Sequence, residues 1–419
     1  MTELARNTGK SDLRTEADVQ RARKSYWMGV REAKRKGVPV VVAFGLLPRE
    51  IWYAMDVPVV GAESLAIQVS ARQLSARYCE IAEQRGFSRE LCAVHLSLIG
   101  MAGDEDRDPY LDQVFVEPDI IIGSSFACMS ESKSFLYWVE RFGCPFYVVD
   151  IPPNPWPGGV PRHAVEYLAG EFRRLIAFLE TYGFRYRESR LRGAVQNSRR
   201  TMELWQEIEG YRARVPAPIS AIDALHCIGK PLVLSLGSDS CLQLFEGLRD
   251  EVAERVRSGH VALEDERLRL YMVGVPPLYR LDLLDYPARY GAVIVKSDVD
   301  ILGGSLIEPR LLDPEHPIES LAMKQIVDMV NPCFDGRAES AVRTVRDYRV
   351  DGVIGLNKRG CRNLPASLRL IKDAVYREAK TPMTVFDLDG IDSREYDESQ
   401  VMSNIDSFVE TLLVAGKAR

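Results

Sequence analysis

Short apolar runs alternate with longer helical patterns over most of this chain, and that alternation limits what it can fold into. Strands are expected at Val38–Phe44, Asp119–Gly123 and Phe146–Val149, and helices at 17 to about 36, from Pro48 to Ala54, at 66–85 (stopped by Gly86) and at 131–142. Ser88 reads as the N-cap of a further helix carrying Cys92. Strands separated by helices pair in parallel, because a parallel neighbour needs a long crossover. The proline- and glycine-rich stretch Ile151–Pro161 breaks the series, and 162–213 reads as almost wholly helical. A second alternating block follows. Its strands are expected at Leu232–Leu236, Leu268–Val273, Ala292–Val295, Gly352–Leu356 and Met383–Phe386, and its helices at 239–257, 338–347, 365–379 and 397–415. The expected fold is α/β: two flavodoxin-like, doubly wound parallel-sheet halves, 1–160 and 226–419, joined by a helical connector, 161–225. No repeat is visible at the residue level.

Charge narrows the partners. The 419 residues carry a net charge of -6 and no long basic run, which argues against nucleic acid. Local arginines and helix N-termini can still hold an anion. The N-terminus is polar, and the most apolar segment, Val38–Leu47, is about half of a membrane span. A cytoplasmic protein without an anchor is expected.

Eight cysteines are present, at 79, 92, 128, 144, 227, 241, 333 and 361, and no two lie closer than thirteen positions. No CxxC pattern exists, so a metal site must collect single cysteines from distant loops. Cys128 follows the strand DIIIG, and Cys361 follows GVIGL. Open α/β sheets build their sites beyond the carboxyl ends of strands. Cys92 sits near a helix start, where the dipole favours thiolate. Soft thiolates suit iron-sulfur clusters and zinc. The competing reading is that free cysteine packs as a small hydrophobe, and Cys144, Cys227 and Cys241 read that way.

Five segments resemble one family. They are LLPREIWYAMDVPVV, AEQRGFSRELCAVHLSLIG, PDIIIGSSFACMSESKSF, YRVDGVIGLNKRGCRNLPAS and TPMTVFDLDGIDSREYDESQVMSNIDSFVE. In this order and spacing the chain resembles the 2-hydroxyacyl-CoA dehydratase D-component family, which includes the benzoyl-CoA reductase subunits. The resemblance implies a [4Fe-4S] cluster held by Cys92, Cys128 and Cys361, with one iron left open. It implies an enzyme subunit, a radical acyl-CoA dehydratase or aryl-CoA reductase, oxygen-sensitive and anaerobic. The implied partners are a homologous second subunit, a separate ATP-hydrolysing iron-sulfur activator and an acyl-CoA or aryl-CoA thioester. A low-potential electron would form a ketyl radical on that thioester. The alternative is a non-catalytic electron-relay or structural subunit of such a heterodimer; a third reading is a zinc-stabilised or metal-free binding protein.

Two departures from the family stand out. Ala93, Val94 and His95 follow the first cysteine where many members have an aromatic and a basic residue, and the usual proline-glutamate-asparagine-histidine motif is replaced around Gly61, Ala62, Glu63 and Ser64.

Further candidates are Glu50, as an acid/base group or a helix-dipole partner, and His95, as a proton donor or a partner of the cluster cysteines. Ser124 and Ser125 are candidate hydrogen-bond donors near Cys128, or helix caps. Cys333 is a rival ligand to Cys361. Asp387, Asp389 and Asp392 read as turn and cap residues rather than a metal site.

Overall fold

The computed structural model describes residues 11–125, 128–154, 159–301, 308–328, 330–331 and 334–417. Cys333 lies outside the described residues. The described strands form two four-stranded sheets, parallel throughout. The first has the order β2-β1-β3-β4, with β1 Val41–Ala43, β2 Val59–Gly61, β3 Ile120–Ser124 and β4 Phe146–Val149. The second has the order β6-β5-β7-β8, with β5 Leu268–Val273, β6 Ala292–Ser297, β7 Gly352–Asn357 and β8 Met383–Asp387. Counted within its own half, each order is 2-1-3-4, the start of the doubly wound series.

Side chains alternate across a strand, so each sheet feeds two cores. In the first sheet Val41, Ala43, Ile120 and Ile122 enter one core, while Val42, Val60 and Ile121 enter the other. Helices cover both faces, which is why these strands read as continuous apolar runs. Ile121 and Ile122 are fully buried, so truncating either to alanine costs about 2–5 kcal/mol.

The helices Arg162–Glu180 and Glu188–Arg212 follow the first sheet. The helix Asp239–Ser258 packs on Glu188–Arg212 and shares the first sheet's core.

Three local expectations need correction. Leu232–Leu236 is not a strand: Lys230–Ser235 is helical and continues Ala221–Ala224 through a π-helical turn at Leu225–Gly229. A short apolar run cannot tell a buried strand from a buried helix. The 66–85 helix is two helices, Ala62–Ala71 and Ser75–Gln84, separated at Gln73, which takes a φ of 60°. Ser88 does not cap the next helix. Its Oγ accepts from the N–H of Glu90 in a local turn, and Cys92 itself is the N-cap residue of Ala93–Gly103.

Candidate functional site: a thiol-lined cavity between two sheet crevices

In a 2-1-3-4 sheet the winding reverses at the first strand. A crevice therefore opens between the carboxyl ends of β1 and β3, and another between those of β5 and β7. A single cavity of about 310 Å³ receives all four ends. Gly45 and Leu46 follow β1, Cys128 follows β3, Val275 follows β5, and Lys358 and Cys361 follow β7. Cys92 and His95 complete the wall from the head of the helix Ala93–Gly103. Trp27, Ile67, Leu225, Val233, Leu234, Leu278 and Leu281 make much of the rest apolar.

Backbone contact fixes the cysteine loops against each other. Gly360, at φ 71°, presses on the other loop so closely that a Cβ there would lie 2.6 Å from the Leu91 carbonyl oxygen and 2.9 Å from the Cys92 nitrogen. Only glycine tolerates both the left-handed backbone and that approach. The Cys92 carbonyl accepts from the N–H groups of His95 and Leu96 at 2.9 and 3.0 Å, so the thiol stands at the positive end of a helix.

Burial opposes ionised thiols. It raises Cys92 and Cys128 above the usual thiol value; the ammonium of Lys358 pulls Cys92 back down, and the Cys92 charge raises Cys128 further. Burial also acts to lower Lys358, but Cys92, Asp389, Cys361 and Cys128 outweigh it and hold the lysine charged. The cavity thus carries one buried cation among three thiols.

His95 is held neutral. Burial, then Lys358, push it down to about 3. Ser134 Oγ donates to the Glu131 carbonyl at 2.9 Å and so accepts from His95 Nδ1 at 2.8 Å. That leaves the lone pair of Nε2 facing Cys128 Sγ at 3.1 Å. His95 Nε2 is therefore placed to accept a hydrogen bond from the Cys128 thiol.

Two carboxyls also line the cavity. Glu63 Oε1 accepts from the Gly45 N–H at 2.9 Å, and Glu131 Oε1 accepts from Ser124 N and Oγ at 3.1 and 3.0 Å. Burial raises both from the usual carboxylate value, Glu131 well above it, and the Glu63 charge raises Glu131 further. Like-charged carboxyls in a low-dielectric site keep a proton.

The structure brings Cys92, Cys128, Cys361 and His95 together. It does not bring Glu50 or Ser125 to them. Glu50 is fully buried elsewhere, paired with Lys324 Nζ at 2.5 Å and accepting from Ser198 Oγ at 2.6 Å. Its partners lie on the helices Glu188–Arg212 and Pro317–Ile326, and it does not reach the cavity wall. Ser125 turns to the sheet edge, where its Oγ donates to Asp150 at 2.7 Å and accepts from the Ile151 N–H at 2.8 Å. Asp389 and Asp392 accept from nearby backbone N–H groups, as turn residues do. Sequence reasoning missed Glu131 and Lys358 and took Glu63 only as a motif change. Glu131 and Lys358 carried a readable signal: each lies three positions from a strand-end cysteine.

Among the described residues no group of three or more His, Cys, Asp and Glu side chains is arranged to hold a metal ion. Cys92, Cys128 and Cys361 stand at separate points on the wall of one cavity.

Fold and site together define a two-sheet α/β protein with a thiol-lined cavity at the meeting of its crevices. The chain belongs to the 2-hydroxyglutaryl-CoA dehydratase, D-component family, whose model matches residues 46–412. It is 23% identical to the (R)-phenyllactyl-CoA dehydratase alpha subunit of Clostridium sporogenes, over 92% of this chain and 93% of that one. It is also 23% identical to a benzoyl-CoA reductase subunit of Thauera aromatica, over 91% and 90%. The (R)-2-hydroxyisocaproyl-CoA dehydratase alpha subunit of Clostridioides difficile is 22% identical, over 91% and 92%. Among the described residues no helix is long and apolar enough to cross a membrane.

Proposed function

We propose that the chain is the cluster-bearing subunit of a radical acyl-CoA dehydratase or aryl-CoA reductase, with Cys92, Cys128 and Cys361 holding a [4Fe-4S] cluster. The observation that carries this reading is the convergence of three cysteines, from three separate loops, on one cavity served by both crevices. When bound, such a cluster supplies one-electron reduction at low potential beside an open metal position. The reading includes two flavodoxin-like halves, 1–160 and 226–419, with a helical connector between them.

The chain's own residues prepare the site. Lys358 offsets the charge of the thiolates. His95 accepts a hydrogen bond or proton at Nε2 and stays neutral otherwise. Glu63 and Glu131 keep a proton between them that can be donated to a thioester oxygen. The apolar wall excludes water from a strongly reduced centre. The proposed reaction is transfer of one electron, supplied by a separate ATP-hydrolysing activator, to the carbonyl of a coenzyme A thioester. The resulting ketyl radical expels hydroxide in a dehydratase; in a reductase the electron enters the aromatic ring. A related second subunit is part of this proposal.

The test is anaerobic purification with a related second subunit, followed by iron and sulfide analysis and electron paramagnetic resonance of the reduced protein. About four irons on this chain with a reduced-cluster signal are expected. Zinc, or no metal, would overturn the assignment.

A further inference from the structure

Cations buried in this chain generally have a carboxylate partner. Lys324 meets Glu50, Lys296 meets Glu209, and Arg212 meets Asp300. Besides Lys358 among the thiols, two cations on the cavity wall depart from that pattern. Arg23, on the helix Thr15–Arg35, and Lys230, on Lys230–Ser235, both line the cavity, each partly buried. Neither has a hydrogen-bond or ion-pair partner among the described residues. They also feel each other. Burial pushes Lys230 down to about 8; the Glu16 charge opposes that shift, and the Arg23 charge adds to it to a smaller degree.

Glu16 lies within electrostatic reach of Lys230, but its oxygens are taken. Oε1 meets Gln20 and His226 Nδ1, and Oε2 accepts from Cys227 Sγ at 3.6 Å. Trp27, Leu225, Val233 and Leu234 leave the surrounding wall apolar. Two like charges against such a wall destabilise the folded chain unless an anion joins them.

We propose that Arg23 and Lys230 form a phosphate-binding pair that holds the coenzyme A part of the substrate, leaving the thioester end to reach the cysteine wall. This rests on the thioester reading given above. The chemistry fits phosphate: a guanidinium offers a planar fork of donors and an ammonium a compact point charge. The apolar residues that share the cavity wall with the pair and the thiols suit a pantetheine arm and an uncharged acyl group.

Binding can be measured without turnover. The full-length protein, purified anaerobically, is titrated calorimetrically with coenzyme A, pantetheine and glutarate. Arg23→Ala and Lys230→Ala should each weaken coenzyme A binding by about tenfold, as loss of a charge-assisted hydrogen bond does. Pantetheine binding should not change, and Lys230→Arg should retain most of the affinity. Removing an unpaired charge should also leave the thermal midpoint unchanged or higher, whereas losing a structural ion pair lowers it.

Other outcomes overturn the proposal. Wild-type affinity in the double variant would do so while leaving the thioester reading intact. Equal weakening of pantetheine would assign the two residues to cavity shape. Glutarate competing with coenzyme A would assign the pair to an acyl carboxylate. Failure of wild-type protein to bind coenzyme A would count against this inference and the thioester reading together.

Discussion

After β1, Gly45 turns the chain at φ 87° and its N–H donates to Glu63 at 2.9 Å; after β5, Gly274 turns it at φ 105° and its N–H donates to Asp298 at 3.1 Å. In each half the carboxylate comes within two residues of the end of the second strand. The third strands match too: Cys128 follows Ser124, and Cys361 follows Asn357, each by four positions. The halves diverge in what surrounds the carboxylate. Asp298 also accepts from Tyr271 Oη at 2.6 Å and lies 3.6 Å from Arg337, in a closed and buried cluster. Glu63 faces the cavity with Glu131 as its electrostatic neighbour. One backbone solution thus serves a closed ion cluster in the second half and leaves a cavity-facing carboxyl in the first. The neighbouring side chains decide which.

The comparison can be broken most sharply at the cysteines. Cys128→Ala and Cys361→Ala, the matched pair, should each lose most of the bound iron, while Cys241→Ala, buried in the helical core, should keep it. Full iron in the Cys361 variant, with loss on replacing Cys333, would remove Cys361 from the ligand set.

The carboxylates come next. Asp298→Asn strips a buried arginine of its counter-charge and should cost about 3 kcal/mol in urea unfolding. Glu63→Gln should stay within about 0.5 kcal/mol of wild type, as positions outside a closed network do, yet slow turnover by about 100-fold. Equal stability losses would erase the distinction between the halves.

The glycines give a smaller effect. A Cβ at 45 would meet Ser124 Oγ at 2.1 Å, and one at 274 would meet the Leu356 carbonyl oxygen at 2.9 Å. Either alanine should cost about 1–3 kcal/mol from backbone strain. Ser124→Gly should recover part of the Gly45→Ala loss, because the obstacle there is a side chain. At 274 the obstacle is backbone, and no neighbouring truncation should help.

The smallest effect is one of pH. Burial holds His95 at about 3, below its unfolded value of about 6.5. Between those values the unfolded chain binds the extra proton, so this contribution to stability is full above about pH 6.5 and shrinks as pH falls towards 3. His95→Gln should flatten the acid limb of a stability-pH curve. An unchanged limb would show that His95 does not carry it.

Much of the fold was legible in the sequence. The strands at 120–124 and 268–273 fall close to where the apolar runs place them, because wholly buried parallel strands must be apolar on both faces. The strand-end cysteines were legible for the same reason: a chain leaving a buried strand emerges at the crevice. The run at 232–236 was misread, since length and hydrophobicity do not separate a short buried helix from a strand. That Glu50 and Ser125 lie away from the cavity wall was not legible, because sequence gives the position along an element but not the direction a side chain takes.

By itself, then, the sequence determined the two alternating α/β blocks and put Cys128 and Cys361 at strand ends, because periodicity and turn chemistry are local. Tertiary structure alone decided that both crevices open into one cavity, that Gly360 locks the loop of Cys361 to that of Cys92, and that Glu63 faces a second carboxyl while Asp298 meets an arginine. Those relations join residues more than a hundred positions apart, or depend on which neighbour fills a few ångströms of space, and packing settles both.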